Sequence, residues 1–437
     1  MSESLVIVGN GMAAAKLVER LSAHALGLYA IAVIGEEPAL AYNRVLLSSV
    51  LADEVAQSDI ELKSRRWWRD RGVTVLYGQA ATAIDRDIRR VRLASGATIP
   101  YSKLVFATGS RPIVLPIPGR ELPGVMTFRD LRDVDVLKSA GRCNAVVIGG
   151  GLLGLEAAYG LAKAGAKVTV VHLMDRLMER QLDAESAEML KAAVEMKGID
   201  VLLNAETAQF AGTETVEHVE LKDGRIIPAD IVVMAAGIAP NVALARTAGV
   251  SINRGIVVDD GMQTDIPGLY AIGECAEYDG RCVGLVEPAY EQATVLADRL
   301  GGGSANYIGS TPATNLKVTG VNVFSAGDYL GAPGTEQVLL RDPGLGVYKK
   351  LVIRNDRLVG AVLFGDTADG LWYLDLIRTG APTDRFRNEL AFGRALAERA
   401  TRLDQHNPDE IRQDRTRQDK INRDKTQKDK TKQDLAA

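Results

Sequence analysis

Two glycine-rich turns in the same register constrain this chain more than any other feature: Gly9-Asn10-Gly11-Met12-Ala13-Ala14 and Gly149-Gly150-Gly151-Leu152-Leu153-Gly154. Each lies directly behind a short aliphatic run, at 5–8 and at 145–148. A G-x-G-x-x-G/A turn between strand and helix lets the backbone approach a pyrophosphate, and the helix N-terminus supplies unpaired N–H groups and partial positive charge. One such turn is a weak signal, because glycine serves any tight strand-to-helix connection. Two in register predict a pair of bound dinucleotides. If one is a flavin and the other a nicotinamide, hydride transfer between them is the chemistry, with the protein supplying orientation and electronics.

The frame around the turns is duplicated. The first unit reads as strand 5–8, turn, helix to about 25 and strand 29–34. The second reads as strand 145–148, turn, helix 155–164, Gly165 as a stop and strand 167–171. Continuous aliphatic runs of this kind are what buried parallel strands show. Two further runs, 104–112 and 231–240, pass from strand through a glycine turn to a proline and read as paired domain exits. Another strand and turn, 269–274, follows the second unit, so the first domain is expected to resume there. The expected fold is α/β, with two Rossmann-like dinucleotide-binding domains. The first is discontinuous over 1–112 and 241–304, and the second is inserted as 113–240.

Beyond the linker-like Gly301-Gly302-Gly303-Ser304, strand-like segments at 316–318, 321–324, 337–340, 347–353 and 358–364 and a helix at 371–378 predict a small α+β domain over 311–400. In the last stretch Asp414, Asp419, Asp424, Asp429 and Asp434 recur every five residues amid Arg, Lys, Gln and Thr. That period matches neither helix nor strand and offers no apolar face, so 404–437 is expected to be a disordered charged tail, with partner docking as the alternative.

With 437 residues and a formal net charge of -4, the chain exceeds one core and carries no basic excess suited to nucleic acid or anionic lipid. No apolar run approaches membrane-spanning length and no basic-then-apolar leader opens the chain, so a cytoplasmic protein is expected. The three cysteines, Cys143, Cys275 and Cys282, form no C-x-x-C or C-x4-C pair. A dithiol relay, an iron–sulfur cluster and a structural zinc site all need closer or more numerous ligands, and no metal site is expected. All three thiols read as inert, Cys275 being the one nearest the first dinucleotide.

Further segments accompany the first turn: Tyr42-Asn43-Arg44, Ala107-Thr108-Gly109, and Thr264-Asp265 leading to Gly273-Glu274. Together they resemble the FAD-binding pattern of the pyridine-nucleotide flavoprotein oxidoreductases, the glutathione-reductase-like fold. The resemblance implies FAD at Gly9, Gly11, Met12, Ala13 and Ala14, with Glu36, 27 positions after Gly9, on the adenosine ribose. It adds Arg44, Ser49, Ala80, Ala107, Thr108, Gly109 and Arg111. It also adds Gly273, Glu274 where the family has aspartate, and Glu287-Pro288 at a helix N-terminus aimed at the flavin. Taken singly, Arg44 and Glu287 read equally well as surface ion-pair partners.

The second turn would hold NAD(P)H through Gly149, Gly151, Leu152, Leu153 and Gly154, with Ala236 and Gly237 nearby. Glu156 resembles the family's glutamate beside the nicotinamide, its alternative being a helix N-terminal acid. NAD-selective members place an acid where His172 stands, and Arg176 is near, so the choice between NADH and NADPH stays open.

A departure narrows the subfamily. No cysteine precedes Cys143, so electrons leave without a thiol. Rubredoxin and ferredoxin reductases read Y-D-R-x-x-L-S-K where this chain reads Tyr42-Asn43-Arg44-Val45-Leu46-Leu47-Ser48-Ser49, with serine for lysine. That variant, with 177–183, 271–275 and 316–327, resembles the flavin module of assimilatory NAD(P)H nitrite reductase large subunits and of the assimilatory nitrate reductase electron-transfer subunit. The cysteine-rich iron–sulfur and sirohaem regions of the former are lacking. The resemblance implies an NAD(P)H-oxidising front end that passes electrons to a separate redox protein, with a homodimer as an option for the C-terminal domain. A rubredoxin or ferredoxin reductase, a diaphorase, and a non-catalytic nucleotide-binding sensor are the alternatives.

Overall fold

The computed structural model describes residues 2–405 apart from Leu26 and Thr319. These form two compact units, one of Met1–Pro312 with Leu316–Val321, the other of Ala313–Asn315 with the chain from Asn322 onward.

In the first unit, β1 (Glu3–Val8), the glycine turn, α1 (Met12–His24) and β2 (Tyr29–Ile34) make a parallel βαβ element, followed by the short helix α2 (Leu47–Leu51). With β3 (Thr74–Leu76) and β4 (Lys103–Phe106) the sheet grows on both sides. The chain leaves through β5 (Ser110–Pro112). A second parallel sheet follows: β6 (Val125–Thr127), α3 (Leu131–Ser139), β7 (Asn144–Ile148), α4 (Leu152–Lys163), β8 (Lys167–Val171), α5 (Ala184–Glu195), β9 (Ile199–Leu202) and β10 (Ile231–Met234). Its strand order is β9-β8-β7-β10-β6.

The chain returns through β11 (Ile238–Pro240), which pairs antiparallel with β5, Ala239 opposite Arg111. These are the two proline-terminated exits, and they zip together. Then β12 (Leu269–Ala271) adds itself in parallel to β4, giving the order β12-β4-β1-β2-β3, and α6 (Val286–Leu300) packs on α1. So a strand from beyond residue 241 completes the sheet begun at residue 3.

The central strands are buried on both faces, with Leu5, Ile7, Val105, Val146 and Val232 inaccessible to solvent. Each such side chain contributes about 1.5–3 kcal/mol when taken from water. That two-sided burial is why these runs show no polar alternation.

A further sheet has strands β13 (Ala313–Val318), β14 (Val321–Gly327), β15 (Glu336–Asp342), β16 (Val347–Arg354) and β17 (Arg357–Phe364) in the order β13-β14-β17-β16-β15, with β14–β17, β17–β16 and β16–β15 antiparallel. α7 (Gly370–Thr379) covers one face through Tyr373 and Leu374, which join Phe324, Leu351 and Leu363 in one core. α8 (Arg394–Gln405) ends the described chain. The expected disordered tail therefore starts too early at 404, because the amphipathic repeat of 394–405 buries Ala397 and sustains a helix. The rest of that tail lies outside the described residues.

Candidate functional site

Gly9 takes φ +112°, and a Cβ there would lie 2.0 Å from the Ala107 carbonyl oxygen, so only glycine fits where β1 ends beside β4. The open side of the turn is different. Gly11 is the N-cap of α1, and a Cβ added to it would meet nothing within 4 Å. No side chain caps α1 and no acid occupies its first turn, so its leading N–H groups stay available.

Some other helices of the unit are closed by side chains. Asp130 and Asp133 close a capping box on α3, and Asp183 caps α5 through the Ser186 N–H. α4 shares the features of α1: its N-cap Gly151 is uncapped and has open space above it. α6 is likewise uncapped at Leu285, with Glu287 and the buried Pro288 in its first turn. Two uncapped glycine-led N-termini, each over open space, fit two pyrophosphates.

Beside the first turn, polar side chains form a chain of contacts. Arg44 pairs with Glu37 and donates to Tyr42 Oη (2.9 Å) and to the Arg129 carbonyl (3.0 Å). Tyr42 donates to Glu37 Oε2 at 2.6 Å, and burial holds its phenol above the usual range. Arg129 reaches Glu274 Oε2 at 2.5 Å, and Ser110 Oγ donates to the same oxygen at 2.7 Å. Gly273 donates its N–H to Gln292 of α6 at 2.7 Å, fixing the Glu274 turn against that helix.

Thr108 donates to the Asn241 carbonyl (2.7 Å), and the Asn241 N–H returns to Gly109 (2.9 Å), locking the two exits. Ala107 is buried at the end of β4. Arg111, exposed, lines with Pro112, Ile113, Val114, Thr127 and Ala239 a cleft of about 470 Å³. Ser49 and Ala80 contribute carbonyls to local turns, accepting from Glu54 (2.9 Å) and Ala94 (2.8 Å). Glu36 is exposed at the end of β2, while its neighbour Glu37 is the acid drawn into the network. Met12, Ala13 and the fully buried Ala14 form the first turn of α1.

The second turn is tighter. Gly149 has φ +122° and Gly154 abuts the Gly149 carbonyl, where a Cβ would lie 2.0 Å away. Leu152 and Leu153 open α4. Gly150 is gripped from behind: its N–H donates to His172 Nδ1 at 3.0 Å, and its carbonyl accepts the Met178 N–H at 3.0 Å. The His172 ring therefore faces the turn, while Nε2 stands 3.3 Å from Glu179 Oε2, near but out of line for a hydrogen bond. Arg176 pairs with Asp175 at 3.1 Å. Ala236 and Gly237 follow β10, and the Gly237 carbonyl accepts from Ile113 at 3.0 Å.

Glu156 lies on α4 one turn before Gly160, whose missing side chain admits Leu51 of α2. The α2 segment, Leu47-Ser48-Ser49-Val50-Leu51, carries no charge. Burial alone pushes the Glu156 carboxyl up to about 8. The thiols are also raised by burial, Cys282 to about 11, with Cys143 and the fully buried Cys275 moved the same way. Thiols held protonated make poor nucleophiles. Among the described residues no cluster suits a metal ion, and no helix is long and apolar enough to cross a membrane.

Sequence reasoning missed Arg129, Glu37, Ser110, Met178 and Glu179. The capping box Asp130-x-x-Asp133 was the one signal for the first, since it marks a helix start and leaves Arg129 at a strand end.

The chain belongs to the pyridine nucleotide-disulphide oxidoreductase family, whose model matches residues 3–295, and residues 312–381 match the rubredoxin NAD+ reductase C-terminal domain. It is 44% identical to the NAD(P)H nitrite reductase of Bacillus subtilis (strain 168), over 87% of this chain and 48% of that protein. It is 42% identical to the assimilatory nitrate reductase electron transfer subunit of the same organism, over 85% of this chain and 49% of that one. The chain thus spans about half the length of these curated relatives.

Among solved structures, NADH:rubredoxin oxidoreductase from Clostridium acetobutylicum matches with a TM-score of 0.72 at 26% identity, over 90% of this chain and 99% of that one. The chain is an oxidoreductase of a family that binds FAD and NAD(P)H, and the α/β fold and family resemblance expected from the motifs agree with these matches.

Proposed function

We propose that FAD occupies the first turn and NAD(P)H the second, and that the chain passes electrons from NAD(P)H to a separate redox protein of nitrate or nitrite assimilation. The observation that carries this is the pair of uncapped glycine-led helices in a unit whose thiols are scattered and held protonated. In this reading Gly9, Gly11 and the first turn of α1 receive the FAD pyrophosphate, Glu36 the ribose, and Arg44, Arg129 and Glu274 orient the remainder. Gly149, Gly151 and Gly154 receive the coenzyme pyrophosphate. A bound flavin supplies the conversion of a two-electron donor into single-electron deliveries.

This chain's residues position and shield. The zipped exits β5 and β11 fix one nucleotide fold against the other, and Arg129 ties the end of β6 to the Glu274 turn. Glu156, whose carboxyl burial raises to about 8, keeps its proton at neutral pH and so places no carboxylate charge beside the nicotinamide.

Anaerobic addition of NADH or NADPH to the purified protein is expected to bleach its flavin absorption. Reoxidation is expected to be faster with a nitrate or nitrite reductase component than with rubredoxin or ferredoxin. A flavin that neither coenzyme bleaches sinks the reading. The match of 312–381 favours a second reading, a rubredoxin or ferredoxin reductase, which the same acceptor comparison separates. Turnover with an artificial acceptor removes the non-catalytic sensor. A cytoplasmic location and a homodimer through the second unit belong to this proposal, checked by fractionation and by light scattering.

A further inference from the structure

We infer that His172 is a positioning residue for the coenzyme turn: its neutral ring holds Gly149–Gly151 in the binding shape, and uptake of a second proton releases it. The inference rests on reading the second turn as the NAD(P)H site.

His172 directly follows β8 and is 7% exposed. Its ring lies flush under the turn: a Cβ on Gly150 would meet His172 Cγ at 2.8 Å and Leu177 Cδ2 at 2.6 Å. The Gly150 N–H can only donate, so Nδ1 is the acceptor at 3.0 Å and the ring proton sits on Nε2, toward Glu179. With the carbonyl of Gly150 taken by Met178, both polar atoms of this residue are held by the segment 172–178.

A second proton goes to Nδ1. There it faces the Gly150 N–H, donor against donor, and a buried N–H loses its acceptor. The turn must then shift, and its shift moves the N-terminus of α4 that receives the coenzyme pyrophosphate.

Glu179 faces Nε2 at 3.3 Å, with Arg180 behind it at 3.7 Å. Asp175 and Arg176 pair with each other. Asp183, at the head of α5, is engaged with Ser186, and on β9, which also carries the exposed Asp200, the Leu202 carbonyl accepts the His172 N–H. Glu156 of α4 is shifted by burial alone. The first turn has no such element, because its middle residue Asn10 is held by a donation from Nδ2 to the Ala39 carbonyl at 3.2 Å, which does not titrate. Coenzyme binding should therefore respond to acid where FAD retention does not.

The test titrates oxidised holoenzyme with NAD+ and NADP+ by calorimetry between about pH 8 and about pH 5.5, the span in which imidazoles change charge. The wild-type dissociation constant is expected to rise roughly tenfold toward acid with FAD content unchanged. His172→Asn, whose Oδ1 takes the place of Nδ1, is expected to bind as wild type at the alkaline end and to lose the pH dependence. His172→Leu is expected to bind roughly tenfold more weakly at all pH values. A wild-type constant that is flat with pH, or an Asn variant that keeps the acid weakening, overturns the inference. Absence of binding at every pH instead overturns the assignment of the second turn as a coenzyme site, and the two failures are thereby distinguished.

Discussion

The two glycine turns are built on one plan and differ in the groups that hold their middle residue. Both lie against a neighbouring strand end, Gly9 on Ala107 and Gly149 on Ala235, and both donate to the next strand, Gly9 to Ile34 and Gly149 to Val171. The loop after the second strand then holds Asn10 through its side chain on the Ala39 carbonyl, but holds Gly150 through the His172 ring and the Met178 N–H. The third position differs too. Ala14 has room for its methyl, whereas Gly154 lies against the Gly149 carbonyl.

The comparison breaks hardest with one methyl group on each side. Gly9→Ala places a Cβ 2.0 Å from a carbonyl oxygen at φ +112°, and Gly154→Ala does the same at 2.0 Å. Neither neighbour is a side chain that can swing away. Gly9→Ala is expected to yield protein without flavin and with a lower Tm. Gly154→Ala is expected to keep its flavin while coenzyme affinity falls roughly 100-fold, about 2.7 kcal/mol. Visible absorbance after gel filtration and coenzyme titration read the two outcomes, and equal loss of both ligands in either variant refutes the division.

Next in size is the pair Arg129–Glu274, which the proposed function places at the FAD site. Both side chains are about one-fifth exposed, at 21% and 22%, so the full penalty of stranding a buried charge does not apply. Glu274→Gln and Arg129→Gln are each expected to weaken FAD roughly tenfold, about 1.4 kcal/mol, leaving coenzyme affinity within a factor of two. FAD titration of the apoprotein measures it.

The second site has its own signature in Glu156, the acid that burial raises from 4.5 to about 8. The folded protein keeps a proton that the unfolded chain gives up, so stability from this group is whole below about 4.5 and is lost as pH rises through about 8. Glu156→Gln removes that loss. Its Tm is expected to match wild type near pH 5 and to exceed it near pH 8 by an amount equivalent to about 1–2 kcal/mol, allowing for partial solvent access. A constant Tm difference across pH defeats this.

How each turn is braced was not equally visible in the sequence. The turns, the strands flanking them, the zipped exits and the return of 269–274 were legible, because period, glycine and proline are local signals. Arg129 was not, since nothing local says that an arginine after residue 128 will meet a carboxylate 145 positions later. His172 was seen as a missing acid, when its structural meaning is a ring turned inward on Gly150. Glu36 and Glu37 are adjacent in sequence, and only side-chain direction separates the exposed one from the one bound to Tyr42 and Arg44. The period-five tail from 404 gave no register to test, and the helix 394–405, which ends two residues inside it, was hidden by the charge density there.

The smallest effect probes the loop that braces the second turn. That loop runs from His172 to the head of α5, where Asp183 accepts from the Ser186 N–H at 3.1 Å and from the Ser186 hydroxyl at 2.6 Å. Just before it, Gln181 and Leu182 donate to the Met178 carbonyl, so the segment carrying Met178 is moored at Asp183. Asp183→Ala removes the cap and is expected to cost about 1 kcal/mol in urea unfolding. If the loop braces the coenzyme turn, part of that loss appears at the ligand: the coenzyme KM is expected to rise about twofold to threefold, with FAD content and limiting rate unchanged. Asp130→Ala, which removes a comparable cap from α3, is the control, expected to cost similar stability and to leave the coenzyme KM where it was. Equal KM changes in both variants reduce the loop to a connector. A change confined to Asp183→Ala makes it part of the wall that holds the second turn.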